Sequence, residues 1–406
     1  MWTLPDTLAR RFPLVARPRP VCLPLPRRLH QLAELAGTAG ETGDPGVAST
    51  VFNRAALIAS DVGDSDAAAA MCRQHAAAYL HAAPLTAGAA IRALEPVVNL
   101  ARLRLRGGRA DDGRRDLLAV FDAVSTGMPV EAGGVAVPAD LVADTADRDE
   151  VRAWLWRILL ADGTRALTSA GRWAEALAHV EIHRGIGRRM LDGRQVAVLA
   201  ALSRGRTGDA DDLLVATVPE EAWETAVTGC LSGLCHRMSG RPWRHQIEDL
   251  ATAYAEGPGR EDLAVFDARL GLALLDIVGS AEDAVAGLVV ARLHHRAMHT
   301  NDGHAAREAL SHPSFRAGAT RDQVRDCQAI VEACALGSGR LLPEVENLLA
   351  ASLSASEEVI RRSVDLASGS PVWSRRPPPP WPSTSAGSAS VTWDCSCSAH
   401  RARRDS

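Results

Sequence analysis

The sequence contains no lysine, because all 45 of its basic residues are arginine. This absence excludes enzymes that form a Schiff base through lysine and proteins that grip phosphate with the lysine of a P-loop. Aromatic residues are also scarce, at 4% of the 406 residues, which argues against a β-rich fold. No run of 18 or more apolar residues occurs, so no membrane-spanning helix is predicted.

Paired cysteine motifs and strong net charge are missing too. None of the eight cysteines falls in a CxxC motif, so neither a zinc site nor a disulfide framework is predicted. The formal net charge of −4 gives no general signal for nucleic-acid binding, and direct binding to nucleic acid is not expected. We therefore expect a cytoplasmic protein with reduced cysteines and no bound cofactor.

What the chain does contain is helical periodicity, which runs from near Arg27 almost to Asp365. Short signals such as "ETGDPG", "DVGDSD" and "RTGDAD" interrupt it, each supplying a glycine to end one helix and a polar residue to start the next. This pattern predicts an all-α fold of antiparallel helix hairpins stacked as a solenoid. A non-repeating helical bundle is the alternative.

Changes of composition divide the chain into five segments. We predict a loose, Pro-rich arm, two blocks of helical repeats separated by a linker or covering loop, and a disordered tail rich in Pro and Ser. These segments are residues 1–26, 27–124, 125–150, 151–367 and 368–406.

The stretch "LTSAGRWAEALAHVE" at 167–181 resembles the turn and second helix of a tetratricopeptide repeat (TPR) in its Gly171, Arg172, Trp173 and Ala176. In outline the chain is similar to the helical sensor half of actinobacterial regulators, although no DNA-binding helix-turn-helix precedes Arg27. The resemblance implies a nonenzymatic, regulatory or accessory protein that binds a peptide or protein segment along a concave face.

Two asparagines recur inside apolar helices at matching positions. Asn53 in "VFNRAALIASDVGD" corresponds to Asn99 in "VVNLARLRLRGG", and Asp162 falls at a similar place in a third unit. TPR-like peptide receptors direct asparagines into the groove, where the amide pairs with the main chain of a bound peptide. The resemblance thus implies that Asn53, Asn99 and Asp162 bind a peptide, with Arg54 and Arg102 available for its carboxylates. The alternative is that each Asn bonds a neighbouring helix.

The densest cluster of arginines is "HRGIGRRMLDGRQ", a predicted turn that holds Arg184, Arg188, Arg189 and Arg194. Arginine forks bind phosphate or carboxylate, and glycine lets the main chain approach an anion. A second possible function is therefore a regulator that responds to a phosphate group or a nucleotide at this turn. A solvated turn of an Arg-rich protein is the alternative reading.

A histidine cluster gives a third possibility, an all-helical metal-dependent enzyme. His295 and His299 are four residues apart and share a helix face, and His304 follows closely. The glutamate of an HExxH motif is missing, and no other catalytic motif occurs. We expect no catalytic residues and no metal, and binding is the favoured function.

Overall fold

The computed structural model describes residues 3–368, and its secondary structure is predominantly helical. The helices are α1 (Asp6–Ala9), α2 (Leu25–Thr42), α3 (Pro45–Val62), α4 (Ser65–Leu80), α5 (Ala87–Arg106), α6 (Ala110–Thr126), α7 (Thr145–Ile158), α8 (Thr164–Thr168), α9 (Trp173–Ile182), α10 (Asp192–Ser203), α11 (Thr207–Val215), α12 (Ala222–Ser239), α13 (Arg244–Glu256), α14 (Ala264–Val278), α15 (Ala284–Thr300), α16 (Gly303–Ser311), α17 (Pro313–Gly318), α18 (Arg321–Ala333) and α19 (Pro343–Ser368). A π-helical turn at Leu159–Gly163 joins α7 to α8, and a 3₁₀ turn at Glu261–Leu263 precedes α14. Strands β1 (Val130–Ala132) and β2 (Val135–Val137) form an antiparallel hairpin.

Consecutive helices pack against each other from α2 to α7 and again from α8 to α13. Helix ends follow the predicted chemistry: the Asp44 side chain accepts a hydrogen bond from the first turn of α3, and Gly63 ends α3 with a φ of 108°. Only glycine adopts that backbone conformation without strain. The all-α fold of stacked helix hairpins is thus confirmed, and the arrangement is compatible with a helical solenoid. No helix within residues 3–368 is both long and apolar enough to cross a membrane.

Among residues 3–368 the hydrophobic interior consists of two main clusters, and each end of this range packs on the cluster of the opposite half. The first cluster combines α2–α7 with the C-terminal helix α19, which packs against α2, α3 and α4. The second combines α9–α18 with residues 4–22 from the start of the chain. Because the two ends cross over in this way, both helical blocks are joined into one structure.

The N-terminal arm, defined here as residues 3–24, is bound along the second helical block instead of being loose. Phe12 and Leu14 are buried within that block. Both main-chain polar groups of Leu14 are paired with Gln195, whose Oε1 accepts from the Leu14 N–H at 2.7 Å and whose Nε2 donates to the Leu14 carbonyl at 2.7 Å. Arg165 donates to the Pro13 carbonyl at 2.5 Å. The prediction of a loose arm is wrong, because the prolines alternate with apolar residues that are buried against the second helical block.

The interval 125–150 contains the β1–β2 hairpin, which contacts α4 and α6. Leu141 and Val142 join the first cluster, and Val142 bridges to Leu85. The interval therefore packs on the first helical block. The predicted disordered tail, 368–406, lies beyond the described residues except for Ser368 at the end of α19.

Candidate functional site

The recurring asparagines lie in one buried network that connects neighbouring helices. Asn53 Nδ2 donates to Glu95 Oε2 at 3.0 Å, and Asn99 Nδ2 donates to Asn53 Oδ1 at 3.1 Å. Arg102 then donates to Asn99 Oδ1 at 3.1 Å and, through Nε, to Asp162 Oδ2 at 2.9 Å. Four of the five residues predicted to bind a peptide therefore lie together in the structure. Their contacts are with one another across α3, α5 and the π-helical turn.

Arg54, the fifth predicted peptide-binding residue, lies elsewhere. Its side chain is half-buried and lines a different cavity, beside Arg28 and Asp61. Burial lowers the pKa of the Arg54 guanidinium. The structure therefore separates Arg54 from Asn53 even though the two are adjacent in sequence, because consecutive residues point to different sides of a helix.

Asp162 lies in the π-helical turn between α7 and α8. A π turn widens a helix by one residue and is often found at functional sites. Asp162 is buried and accepts from Arg102 through both Nε and a terminal nitrogen, the second at 2.7 Å. The ion pair fixes α5 to the π turn, and Arg102 and Asp162 reach from the asparagine network to the wall of a large cavity.

We call this cavity the anion cavity. Its volume is about 760 Å³, which lies in the range of sites for small molecules. It is enclosed by the arm, the α7–α8 helix and the turn before α10. Its wall carries six arginines against two aspartates, together with two tryptophans: Arg17, Arg19, Arg102, Arg157, Arg184, Arg189, Asp162, Asp192, Trp154 and Trp156.

The four arginines of the predicted anion-binding turn have different environments. Arg194 is buried and donates to the Leu213 carbonyl at 2.6 Å, so it holds the loop together. Arg189 reaches the cavity but pairs with Glu220, Glu221 and Glu224. Arg184 lines the cavity, whereas the exposed Arg188 does not.

Three arginines of the cavity wall keep donor groups available. Arg17 pairs with Asp192 at 2.5 Å and Arg102 with Asp162, so both aspartates are already engaged. Within residues 3–368, the exposed side chains of Arg157 and Arg184 have no hydrogen-bond or ion-pair partner. Arg19 is buried, and its NH1 has no partner in the same part of the chain. The wall thus has positive charge that the described residues do not neutralise.

Glycines explain how the turn can form part of this wall. A Cβ on Gly185 would lie 2.3 Å from a methyl group of Leu160, and a Cβ on Gly193 would lie 2.2 Å from the carbonyl oxygen of Gly185. Since real Cβ atoms do not approach that closely, a side chain at 193 would displace the main chain of the turn, whereas one at 185 would displace the end of the Leu160 side chain. The main chain around 185–187 therefore borders the cavity directly.

Most of the charged and aromatic residues of the cavity wall were not predicted from the sequence. Arg17 and Arg19 come from the arm, and Trp154, Trp156 and Arg157 come from the end of α7. The only signal in the sequence was the local density of arginine and tryptophan in "ARPRP" and "WLWR". The indole N–H of Trp156 donates to the His183 carbonyl at 2.8 Å, which connects α7 to the turn.

The three histidines of the alternative, metal-dependent reading do not form one cluster. His295 and His299 are both exposed and stack on each other along α15, with ring centroids 6.0 Å apart. His304 is buried at the start of α16, where its Nε2 lies 3.3 Å from Asp61 Oδ2. His304 therefore belongs to a different cluster.

That cluster joins Cys22, Asp61 and His304, whose ligand atoms all lie within 4.8 Å of one another. These donor types can bind zinc, but the charges around them oppose a cation. Arg28 donates to Asp61 Oδ2 at 2.9 Å, and Arg106 lies 3.9 Å from Asp61 Oδ1. Burial works against ionisation of Asp61, yet His304, Arg28 and Arg106 outweigh it and lower the pKa of the carboxyl group.

The other ring nitrogen of His304 also disfavours a metal. Arg307 lies 3.1 Å from His304 Nδ1, and a guanidinium can only donate. The Arg307 guanidinium therefore adds a further positive charge beside the cluster, which again opposes a metal cation. The cluster fits a protein-internal polar contact better than a zinc site.

Known proteins give no further guide to the function of this arrangement. Comparison with protein-family models, with curated proteins and with solved structures found no match for the chain.

Proposed function

We propose that this protein is a nonenzymatic regulatory or accessory protein of TPR-like architecture that binds a phosphate-bearing small molecule, of the nucleotide class, in the anion cavity. The observation that carries the proposal is that, among residues 3–368, the buried Arg19 NH1 has no partner, and neither do the side chains of Arg157 and Arg184 on the same wall. A similarity to actinobacterial regulators and a cytoplasmic location belong to the same proposal.

The phosphate part of the ligand follows from the arginines. Guanidinium groups donate two parallel hydrogen bonds to phosphate oxygens, which makes them the preferred side chains for phosphate in a chain without lysine. Three available guanidinium groups on one wall match a ligand with more than one negative charge. A neutral ligand would leave the positive charge of these arginines uncompensated.

The planar part of the ligand follows from the tryptophans and the volume. Trp154 and Trp156 line the same cavity as the arginines, and an indole is a good surface for stacking a base. A cavity of about 760 Å³ is larger than a free phosphate ion needs. A nucleotide uses both the charged and the aromatic part of the wall.

The test measures thermal unfolding of the full chain with adenine and guanine nucleotides, the matching nucleosides and tripolyphosphate. We expect nucleotides to raise the melting temperature, because a ligand that binds only the folded state stabilises it. Nucleosides are expected to have no effect. The Arg157→Ala/Arg184→Ala double variant should lose the shift.

Arg188→Ala is the matched control, because Arg188 belongs to the same turn but does not line the cavity. This variant should keep the full shift. The proposal fails if no nucleotide stabilises the wild type, or if the double variant responds as the wild type does.

Peptide binding in the groove is the second candidate and stays a prediction. Its support is the way the second helical block holds the arm, since Gln195 pairs with the main chain of an extended segment as expected for a peptide receptor. The amides of Asn53 and Asn99, by contrast, are engaged with each other and with neighbouring side chains. A pull-down from the native host with Asn53→Ala and Asn99→Ala tests it, and unchanged recovery with a folded double variant would refute the role of these residues.

A further inference from the structure

Two buried cysteines from distant parts of the chain meet beside the Cys22–Asp61–His304 cluster. Cys22 belongs to the arm and Cys334 follows α18, 312 positions later. The Cys334 thiol donates to the main-chain oxygen of Cys22 with an Sγ–O distance of 2.9 Å, so the Cys334 sulfur lies against Cys22. Both are free thiols in this structure.

The main chain at both cysteines is held in place. The Cys22 N–H donates to Asp302 Oδ2 at 3.1 Å, and its carbonyl accepts from the Gly303 N–H at 2.9 Å. The Cys334 carbonyl accepts from Arg28 at 2.7 Å. A Cβ on Gly303 would lie 2.8 Å from both Cβ and Sγ of Cys334, so the absence of a side chain there lets the two cysteine segments approach.

The surroundings favour the thiolate form of Cys334, whereas Cys334 and burial raise the pKa of the Cys22 thiol. The hydrogen bond from Cys22 and then the charge of Arg28 lower the pKa of the Cys334 thiol, although burial opposes this. Positive neighbours promote the thiolate, which is the form that reacts with oxidants. Cys22 also lines a cavity of about 500 Å³, which gives a small oxidant a path to this residue.

We propose that Cys22 and Cys334 form a redox-active dithiol that a hydroperoxide converts to a disulfide, thereby joining the arm covalently to the end of α18. In the reaction with hydrogen peroxide, two S–H bonds and the O–O bond break, one S–S bond forms, and two molecules of water leave. The two sulfur atoms are oxidised by two electrons in total, and the peroxide is reduced. The inference does not depend on nucleotide binding.

The effect on the structure follows from the position of Cys22 in the arm. Arg17 and Arg19 of the arm line the anion cavity, while Pro20–Leu23 line the cavity beside Cys22. A disulfide at Cys22 would therefore fix the arm between the two cavities. Because it closes a very long loop, it should also stabilise the folded state markedly.

The test treats the folded full chain with a few equivalents of hydrogen peroxide, blocks remaining thiols with iodoacetamide and maps the peptides without reduction. We expect a peptide that links Cys22 to Cys334 and disappears after reduction. It should be absent from Cys22→Ser and present in Cys72→Ser, a matched control at another buried cysteine. Peptide mapping also separates this bond from any that involves Cys395 or Cys397.

Urea unfolding gives a second readout that does not require the variants to fold well. Oxidised wild type should unfold at a urea midpoint about 1 M or more above that of the reduced protein. Recovery of Cys22 and Cys334 as alkylated free thiols after treatment would overturn the proposal. So would linkage to a different cysteine, or protection of Cys22 by stoichiometric bound zinc.

Discussion

Replacing Gln195 by alanine is expected to release the N-terminal arm from the second helical block. Gln195 is fully buried and makes three hydrogen bonds to main-chain groups: the N–H of Leu14, the carbonyl of Leu14 and the carbonyl of Met190. Truncation leaves these three groups without their partner inside the protein. Each such loss costs about 1–3 kcal/mol, and since water can enter the space left by the side chain, we expect a total near the lower end, about 3–5 kcal/mol.

Urea unfolding of the full chain measures this cost. With a slope of about 3 kcal/mol per M, a loss of 3–5 kcal/mol lowers the urea midpoint by about 1–1.7 M. Limited proteolysis should then cut within the arm before the rest of the chain. Gln246→Ala is the control, because the half-buried Gln246 side chain makes no hydrogen bond with any described residue, and its midpoint should stay within about 0.2 M of wild type. A Gln195→Ala midpoint that stays equally close to wild type would refute the conclusion that these contacts hold the arm.

Three further predictions concern single residues. Burial, followed by the charge of Arg92, lowers the pKa of His75 to about 3. Because the unfolded chain binds this proton below about pH 6.5, the free energy of unfolding falls as the pH drops from 6.5 toward 3. Urea unfolding of His75→Phe should therefore show a gain of about 2 kcal/mol relative to wild type between pH 7 and pH 5. An equal pH dependence in both proteins would contradict this. Asn99→Ala should cost about 1–3 kcal/mol in the same assay, because it breaks the buried network between α3 and α5, and a neutral effect would mean that the network is not stabilising. Gly193→Ala should abolish nucleotide-induced stabilisation while the fold persists, because the new Cβ would force the turn away from α10. An unchanged thermal shift would show that the turn does not shape the site.

The sequence was sufficient to predict the helical fold and several of its turns. Glycines at 43, 63 and 171 have the positive φ that ends a helix or closes a turn, as their positions in the sequence indicated. Gly208, also read as a turn residue, lies inside α11, and Gly205 makes that turn instead. The sequence pattern does not distinguish between two glycines three residues apart as the turn residue. Only packing decides which of them takes the left-handed conformation.

The sequence also indicated which polar residues belong together, but not what they contact. The recurrence of Asn53 and Asn99 pointed to two residues that hydrogen-bond to each other, but the pattern contained no information on which helix lies opposite each amide. Long-range packing decides that. The same limit explains why Arg17 and Arg19 were missed: they meet Arg157 and Arg184 only because the arm folds back along α9–α18, and nothing local in a Pro-rich segment predicts this path.

Isothermal titration calorimetry with the nucleotide that stabilises the protein most tests the central claim most directly. The account predicts one site per chain in the wild type and binding about 30-fold weaker or more in the Arg157→Ala/Arg184→Ala variant, which corresponds to about 2 kcal/mol for two partly exposed charged contacts. Binding to the wild type should also weaken as the salt concentration rises. Equal affinity of the two proteins for the nucleotide would contradict the assignment of the anion cavity as its binding site.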